Sequence, residues 1–176
     1  MFAPKSISSK LNIPNCMKMA LIHDMAESLV GDITPVDNVP KPEKSRREST
    51  TMDYLTGALL GKVNSGLTGE EIKAVWQEYE DGKTLDSKFV HDVDKLELIL
   101  QMFEYEQRGQ GEVKLSEFAQ VRTKVVMPEV QAWCDEVLSA RDTFWEGFGG
   151  TPPVEEDEKI KEQHEGYYGK DAENKS

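Results

Sequence analysis

The sequence predicts an all-α fold, and three observations carry that prediction. Apolar residues recur at spacings of three and four in the long segments. No segment shows a convincing run of alternating strand pattern. Cap and stop signals bracket the periodic segments: Asn12, Gly31, Thr68 with Glu71, Asp81-Gly82, and Gly109 to Gly111. The 176 residues suit one domain with a tail, and no internal repeat is visible.

Residues 1–12 read as a flexible lead-in. Asn12 or Asn15 caps a first helix over residues 14–29, with Pro14 tolerated in its first turn and Gly31 as its stop. Met17, Ala20, Leu21, Met25 and Leu29 give that helix the pattern of a buried face. Three prolines within residues 31–42 exclude a helix interior there and make the stretch a loop. A second helix over residues 43–60 starts polar and then carries Met52, Leu55, Ala58 and Leu59. Thr68 and Glu71 have the spacing of a capping box, opening a helix with Ile72, Val75, Trp76 and Tyr79.

The longest helix is expected over residues 85–108, with Phe89, Val93, Leu96, Leu100 and Phe103 as its core stripe. A short helix over 115–123 follows. A last one over 128–145 is expected to bury Val130, Trp133, Val137 and Leu138. Beyond Gly149 the chain holds eight acidic and four basic residues and few large apolar ones, the composition of a disordered tail. The reading is therefore a lead-in (1–12), a helical domain (13–148) and an acidic tail (149–176).

The formal net charge of −12 repels nucleic-acid backbones and anionic membranes at long range. An anionic small molecule then needs a metal or a basic patch to reverse the field at its site. Cys16 and Cys134 are too few for a disulfide framework, which points to a reducing compartment. No run approaches the roughly 18 apolar residues of a membrane span. The first residues lack the apolar core of a signal peptide. Together these read as a soluble protein of the cytoplasm.

The candidate chemistry lies in His23, Asp24, Glu27 and Asp32, set inside an apolar helical pattern. Ionisable groups are costly to bury unless paired, and a divalent metal suits imidazole and carboxylate together. On a helix, His23 and Asp24 point about 100° apart, while Glu27 shares the face of His23. Asp32 follows the expected helix end, and Asp94 on the long helix closes the shell. Such a donor set suits manganese, cobalt, iron or zinc, with magnesium on the oxygen-rich side. The competing reading is a core histidine with solvated carboxylates. That reading is the commoner one for a lone His-Asp pair, but it loses ground to the metal once Glu27, Gly31-Asp32 and Asp94 join the pattern.

The run His23-Asp-Met-Ala-Glu-Ser-Leu-Val-Gly-Asp32 resembles the central motif of the HD-domain metal-dependent phosphohydrolases. The wider match from Ala20 to Asp37, then Lys44-Ser-Arg-Arg-Glu48, then Phe89-Val-His-Asp-Val-Asp94, resembles the 5'-deoxynucleotidase branch of that family. It covers roughly residues 11–141. The resemblance implies an HD-domain helical bundle, a homodimer, and release of phosphate from deoxynucleoside 5'-monophosphates. It implies His23, Asp24 and Asp94 as ligands of the main ion. Glu27 would activate water or hold a second ion, and Asp32 with the Ile33 carbonyl would hold that ion or meet the substrate. Thr34 lies where the family's loop approaches the nucleotide, and Lys44, with Arg46 and Arg47, forms the basic cluster nearest that loop.

The family draws a further histidine ligand and an arginine–tryptophan pair from an N-terminal helix. Only 22 residues precede His23 here, and none is His, Arg or Trp. The shell read from this chain is one imidazole and two carboxylates. The alternative reading is an N-terminally truncated, catalytically impaired HD-fold protein that binds metal, nucleotide or a partner. A third is a regulatory helical module with no metal. His91 reads as a flank residue of Asp94, Cys16 as buried packing, and Lys44, Arg46 and Arg47 as a solvated, ion-paired helix start, the competing reading being attraction of the phosphate, with Lys44 as the substrate-binding candidate. His164, Tyr167 and Tyr168 fall in the tail.

Overall fold

The structure, a computed structural model, describes residues 3–34 and 37–153. Among them no strand occurs, in line with the predicted all-α class. The α-helices are α1 (Ile13–Ile22), α2 (Glu27–Val30), α3 (Lys41–Asp53), α4 (Leu67–Asp81), α5 (Leu85–Arg108) and α6 (Pro128–Glu146). Tighter 3-10 stretches cover Ser8–Lys10, Val63–Gly66 and Ser116–Lys124, and a π turn over Tyr54–Leu59 continues α3. No helix of the described residues is long and apolar enough to cross a membrane. The acidic tail from residue 154 onward, with His164, Tyr167 and Tyr168, lies outside the described residues.

The chain forms two compact units, where the sequence predicts a single helical domain. One comprises the residues up to Ala20 together with those from Glu78 on; the other is Leu21–Gln77.

In the first unit, α5 packs against α6 and against Ser116–Lys124. Asn12 Oδ1 accepts from the Asn15 backbone N–H (3.3 Å) and so caps α1, the first of the two expected candidates. Thr84 caps α5 in the same way, accepting from Ser87 N–H at 3.1 Å. The buried face of α5 keeps Phe89 of the expected stripe, while Val93, Leu96 and Phe103 are half-buried. It is Phe89, Val90, Asp92, Ile99, Met102 and Glu106, with Leu100 46% exposed.

The apolar pattern is out of phase because two carboxylates occupy the buried face. Asp92 accepts the N–H groups of Val126 (3.1 Å) and Met127 (2.7 Å), just before α6 begins. Glu106 pairs with Arg141. On α6 the buried residues are Val130, Cys134, Arg141 and Trp145, while the expected Trp133, Val137 and Leu138 are half-buried. The expected lead-in is tied down, with Ile7 and Leu11 buried and Ser6 Oγ donating to Glu129 Oε1 at 2.7 Å.

In the second unit, Ala26, Met52 and Trp76 form the core, with Met25, Leu55 and Ile72 against it. The helix α3 starts at Lys41, with Pro42 in the first turn, where its missing N–H is not needed. The helix α4 begins at Leu67, one residue before Thr68, so the expected capping-box threonine lies inside the helix. Gly69 is required there, because a Cβ would stand 2.1 Å from the Thr56 carbonyl oxygen.

Candidate metal centre

The helix expected over residues 14–29 breaks at the motif itself. The helix α1 ends at Ile22, and residues 23–26 form turns closed by i→i−3 bonds, Met25 N–H to Ile22 O at 3.0 Å and Glu27 N–H to Asp24 O at 2.9 Å. Only then does α2 start, and Gly31 ends it at φ +77° with its N–H on Glu27 O (2.8 Å). Neither Gly nor Pro marks the break, so periodicity gives no sign of it. The break carries Ala26 into the Met52–Trp76 core. The expected buried face fails with it: Met17, Leu21 and Leu29 are exposed, and α1 buries Cys16 and Met19 instead.

The tightened turn does for His23 and Asp24 what a regular helix does not. Their side chains meet rather than diverge: the buried His23 Nε2 lies 3.0 Å from Asp24 Oδ2, as a close contact rather than an aligned hydrogen bond. Two ligands about 2.1 Å from one divalent ion, at near right angles, sit ~3 Å apart. The His23–Asp24 edge therefore has the spacing of an adjacent ligand pair, and its donor chemistry fits such an ion. Among the described residues, no group of three or more His, Cys, Asp or Glu side chains stands close enough to hold a metal. The third expected donor, Asp94, lies on α5, exposed, in the first unit.

Around this edge the second unit gathers further carboxylates. Glu27 is pushed up to about 7 by burial first, then by the charges of Asp24 and Asp32, with Lys44 opposing. Glu48, a buried residue, is raised in turn by burial, against the pull of Lys44. The Lys44 ammonium donates to the Ile33 carbonyl at 2.9 Å and lies 3.6 Å from Glu48 Oε1 and 3.8 Å from Glu27 Oε1. Thr34 donates to Asp37 Oδ2 from both its N–H and its hydroxyl, each at 2.7 Å, and these bonds hold the Asp37 carboxyl below its ordinary range.

Arg46 and Arg47 both clasp Glu43, pulling that carboxyl down to about 2, as an ion-paired helix start requires. Lys44 alone of the basic cluster turns toward the motif. Sequence reasoning assigns no role to Glu48, although its place four residues after Lys44 is a legible signal.

The model of the HD domain family matches residues 1–133. This chain belongs to the HD domain family. It is 47% identical over 135 residues to the 5'-deoxynucleotidase hdd1 of Schizosaccharomyces pombe, covering 77% of this chain and 68% of that one. It is 38% identical to the human 5'-deoxynucleotidase HDDC2, covering 76% and 64%. The solved structure of the HD domain-containing protein YGK1, whose sequence is that of a Saccharomyces cerevisiae protein, superposes with a TM-score of 0.65 at 32% identity, covering 79% and 70%. The chain spans between 52% and 68% of the length of the curated relatives it matches.

HD-domain phosphohydrolases are metal-dependent. Two other residues keep to the roles expected of them in this HD domain. His91 stacks on the Tyr79 ring (centroids 3.8 Å apart), and its Nε2 lies 2.9 Å from the Tyr79 carbonyl. Cys16 is fully buried, and burial, followed by the nearby Asp86 charge, pushes its thiol up to about 12. Such a thiol stays protonated and packs.

Proposed function

We propose that this HD domain is a metal-dependent phosphomonoesterase that hydrolyses deoxyribonucleoside 5'-monophosphates to deoxynucleoside and phosphate. One observation carries the chemistry: the His23–Asp24 donor edge stands in the same unit as a Glu27 carboxyl held at about 7. The names of the relatives support the substrate class. His23 and Asp24 hold the ion, and the sequence motif alone brings Asp94 in as the third ligand. Glu27 and Asp32, with the Ile33 carbonyl, serve beside them. Bound there, a divalent cation such as manganese, cobalt or magnesium, with zinc and iron also suited to the donors, lowers the proton affinity of water and neutralises phosphate charge.

Glu27 is the general base, the carboxyl of the motif that takes a proton from water and returns it. Water oxygen bonds to phosphorus as its proton passes to Glu27. The bond from phosphorus to the 5'-oxygen breaks, and that oxygen takes the proton from Glu27 as the nucleoside leaves, which restores the carboxylate. Asp32, Ile33 and Thr34 form the rim facing the substrate.

The test is phosphate release from deoxynucleoside 5'-monophosphates with added manganese, cobalt or magnesium, together with Asp94→Ala, which abolishes it. Folded protein that releases no phosphate with any of these ions overturns the reading. A second reading, an HD domain that binds without turning over, is favoured by the lack of a three-donor group among the described residues. Stoichiometric Mn²⁺ binding without release selects it. The homodimer and the cytoplasmic location follow from resemblance and composition, and light scattering of the purified chain tests the first.

A further inference from the structure

We propose that Lys44 is a positioning residue rather than a phosphate contact, and that Glu48 is the residue that holds it in place. This inference rests on the phosphomonoesterase reading for its kinetic arm. The geometry is internal to one unit. The ammonium of Lys44, on α3, donates to the Ile33 carbonyl at 2.9 Å, across a gap of 11 residues in sequence. Glu27 Oε1 stands 3.8 Å from the same nitrogen, and Glu48 Oε1, one helical turn on, stands 3.6 Å from it. The three partners, one hydrogen-bonded and two at ion-pair distance, come from the loop after Gly31, from α2 and from α3.

A lysine ammonium is a compact charge with three donors and no acceptor, so it suits a nest of one carbonyl and two carboxylates. Two of those three partners, Glu27 and Ile33, are groups the proposed reaction uses. The third, Glu48, is a buried residue at 7% exposure, and its carboxylate faces the Lys44 ammonium from the α3 side. Free lysines on helix starts are solvated, and this one has only 21% of its side chain exposed. An ammonium committed in this way ties the loop at residues 31–34 and the Glu27 side chain to α3. A phosphate-binding lysine would instead present its donors outward, and its charge would be needed whatever stood at position 48.

The two roles separate in the kinetics of Lys44→Met and Glu48→Gln with a deoxynucleoside 5'-monophosphate. Positioning makes both variants lose kcat, by about tenfold or more, since misplacing a reacting group by about 1 Å costs on the order of 100-fold. KM stays within about twofold in both. The double variant loses no more than the worse single one, as expected of two residues acting through one contact. Lys44→Arg fails to restore kcat, because the longer planar fork does not match the nest.

A phosphate contact predicts the opposite split: KM rises in Lys44→Met and is unchanged in Glu48→Gln. That pattern overturns the proposal.

Amide hydrogen exchange of residues 31–34, read by NMR on variants that circular dichroism shows to be folded, gives an arm independent of turnover. Both variants speed exchange there. Wild-type exchange in both overturns the proposal, even if phosphate release is normal. Faster exchange in both, with no release by the wild type, sinks the phosphomonoesterase reading and leaves the Lys44–Glu48 strap standing.

Discussion

Arg141 on α6 grips Glu106 on α5 through two hydrogen bonds, Nε to Oε2 at 2.6 Å and Nη2 to Oε1 at 2.9 Å, with both side chains buried. The remaining capacity of the carboxylate is filled by the Trp145 indole N–H (3.0 Å) and the Leu115 backbone N–H (2.9 Å). Arg141 also donates to Ser116 Oγ at 2.7 Å, and that hydroxyl donates to the Pro152 carbonyl at 2.8 Å. The network binds α5, α6 and the stretch before α6 into one unit.

Removing one partner leaves a buried charge without its counterpart. Arg141→Met is expected to lower unfolding stability by ~3–5 kcal/mol. Converting both partners to apolar residues of similar size costs much less, because no charge is then stranded. Urea unfolding of the two variants checks the difference. A small loss in the single variant counts against the network as the tie between α5 and α6.

The same pair sets an acid limit. Burial alone would raise the Glu106 carboxyl, but hydrogen bonds from Arg141, Trp145 and Leu115 outweigh it and hold the group below its ordinary 4.5. A carboxyl lowered by folding contributes stability above its unfolded value, and that contribution is lost as pH falls through the folded one. Melting temperature is expected to fall as pH drops below about 4.5, and Glu106→Gln flattens that slope while lowering the plateau. An unchanged slope in the variant assigns acid sensitivity elsewhere.

Glu27 carries the opposite sign. Its folded value, about 7, lies above the ordinary 4.5. The carboxyl therefore favours folding below 4.5 and loses that contribution as pH rises through about 7. Carbon-detected NMR of the metal-free protein is expected to place the Glu27 midpoint near neutrality. Lys44→Met raises that midpoint further, since the ammonium is the charge opposing the shift. A Glu27 midpoint at the ordinary carboxylate value in wild type removes the basis for assigning it as the base.

What the sequence determined by itself is the helical class, the limits of α5, the stop at Gly31, and the residue types of the donor motif. These depend on local backbone preferences and on chemistry carried by single side chains. Tertiary structure alone decided the rest. The buried faces of α5 and α6 are rotated from the apolar pattern because Asp92, Glu106 and Arg141 are buried by satisfying one another and nearby backbone N–H groups. The break after Ile22 comes with Ala26 packed against Met52 and Trp76, residues far along the chain. That break turns His23 and Asp24, diverging neighbours on a regular helix, into donors 3.0 Å apart. Lys44 reads in sequence as one of three basic residues, and only folding separates it from Arg46 and Arg47, by bringing Ile33 and Glu27 to its ammonium. Spacing along a chain encodes which side chains share a helix face, but the partner that makes a buried charge affordable comes from another element.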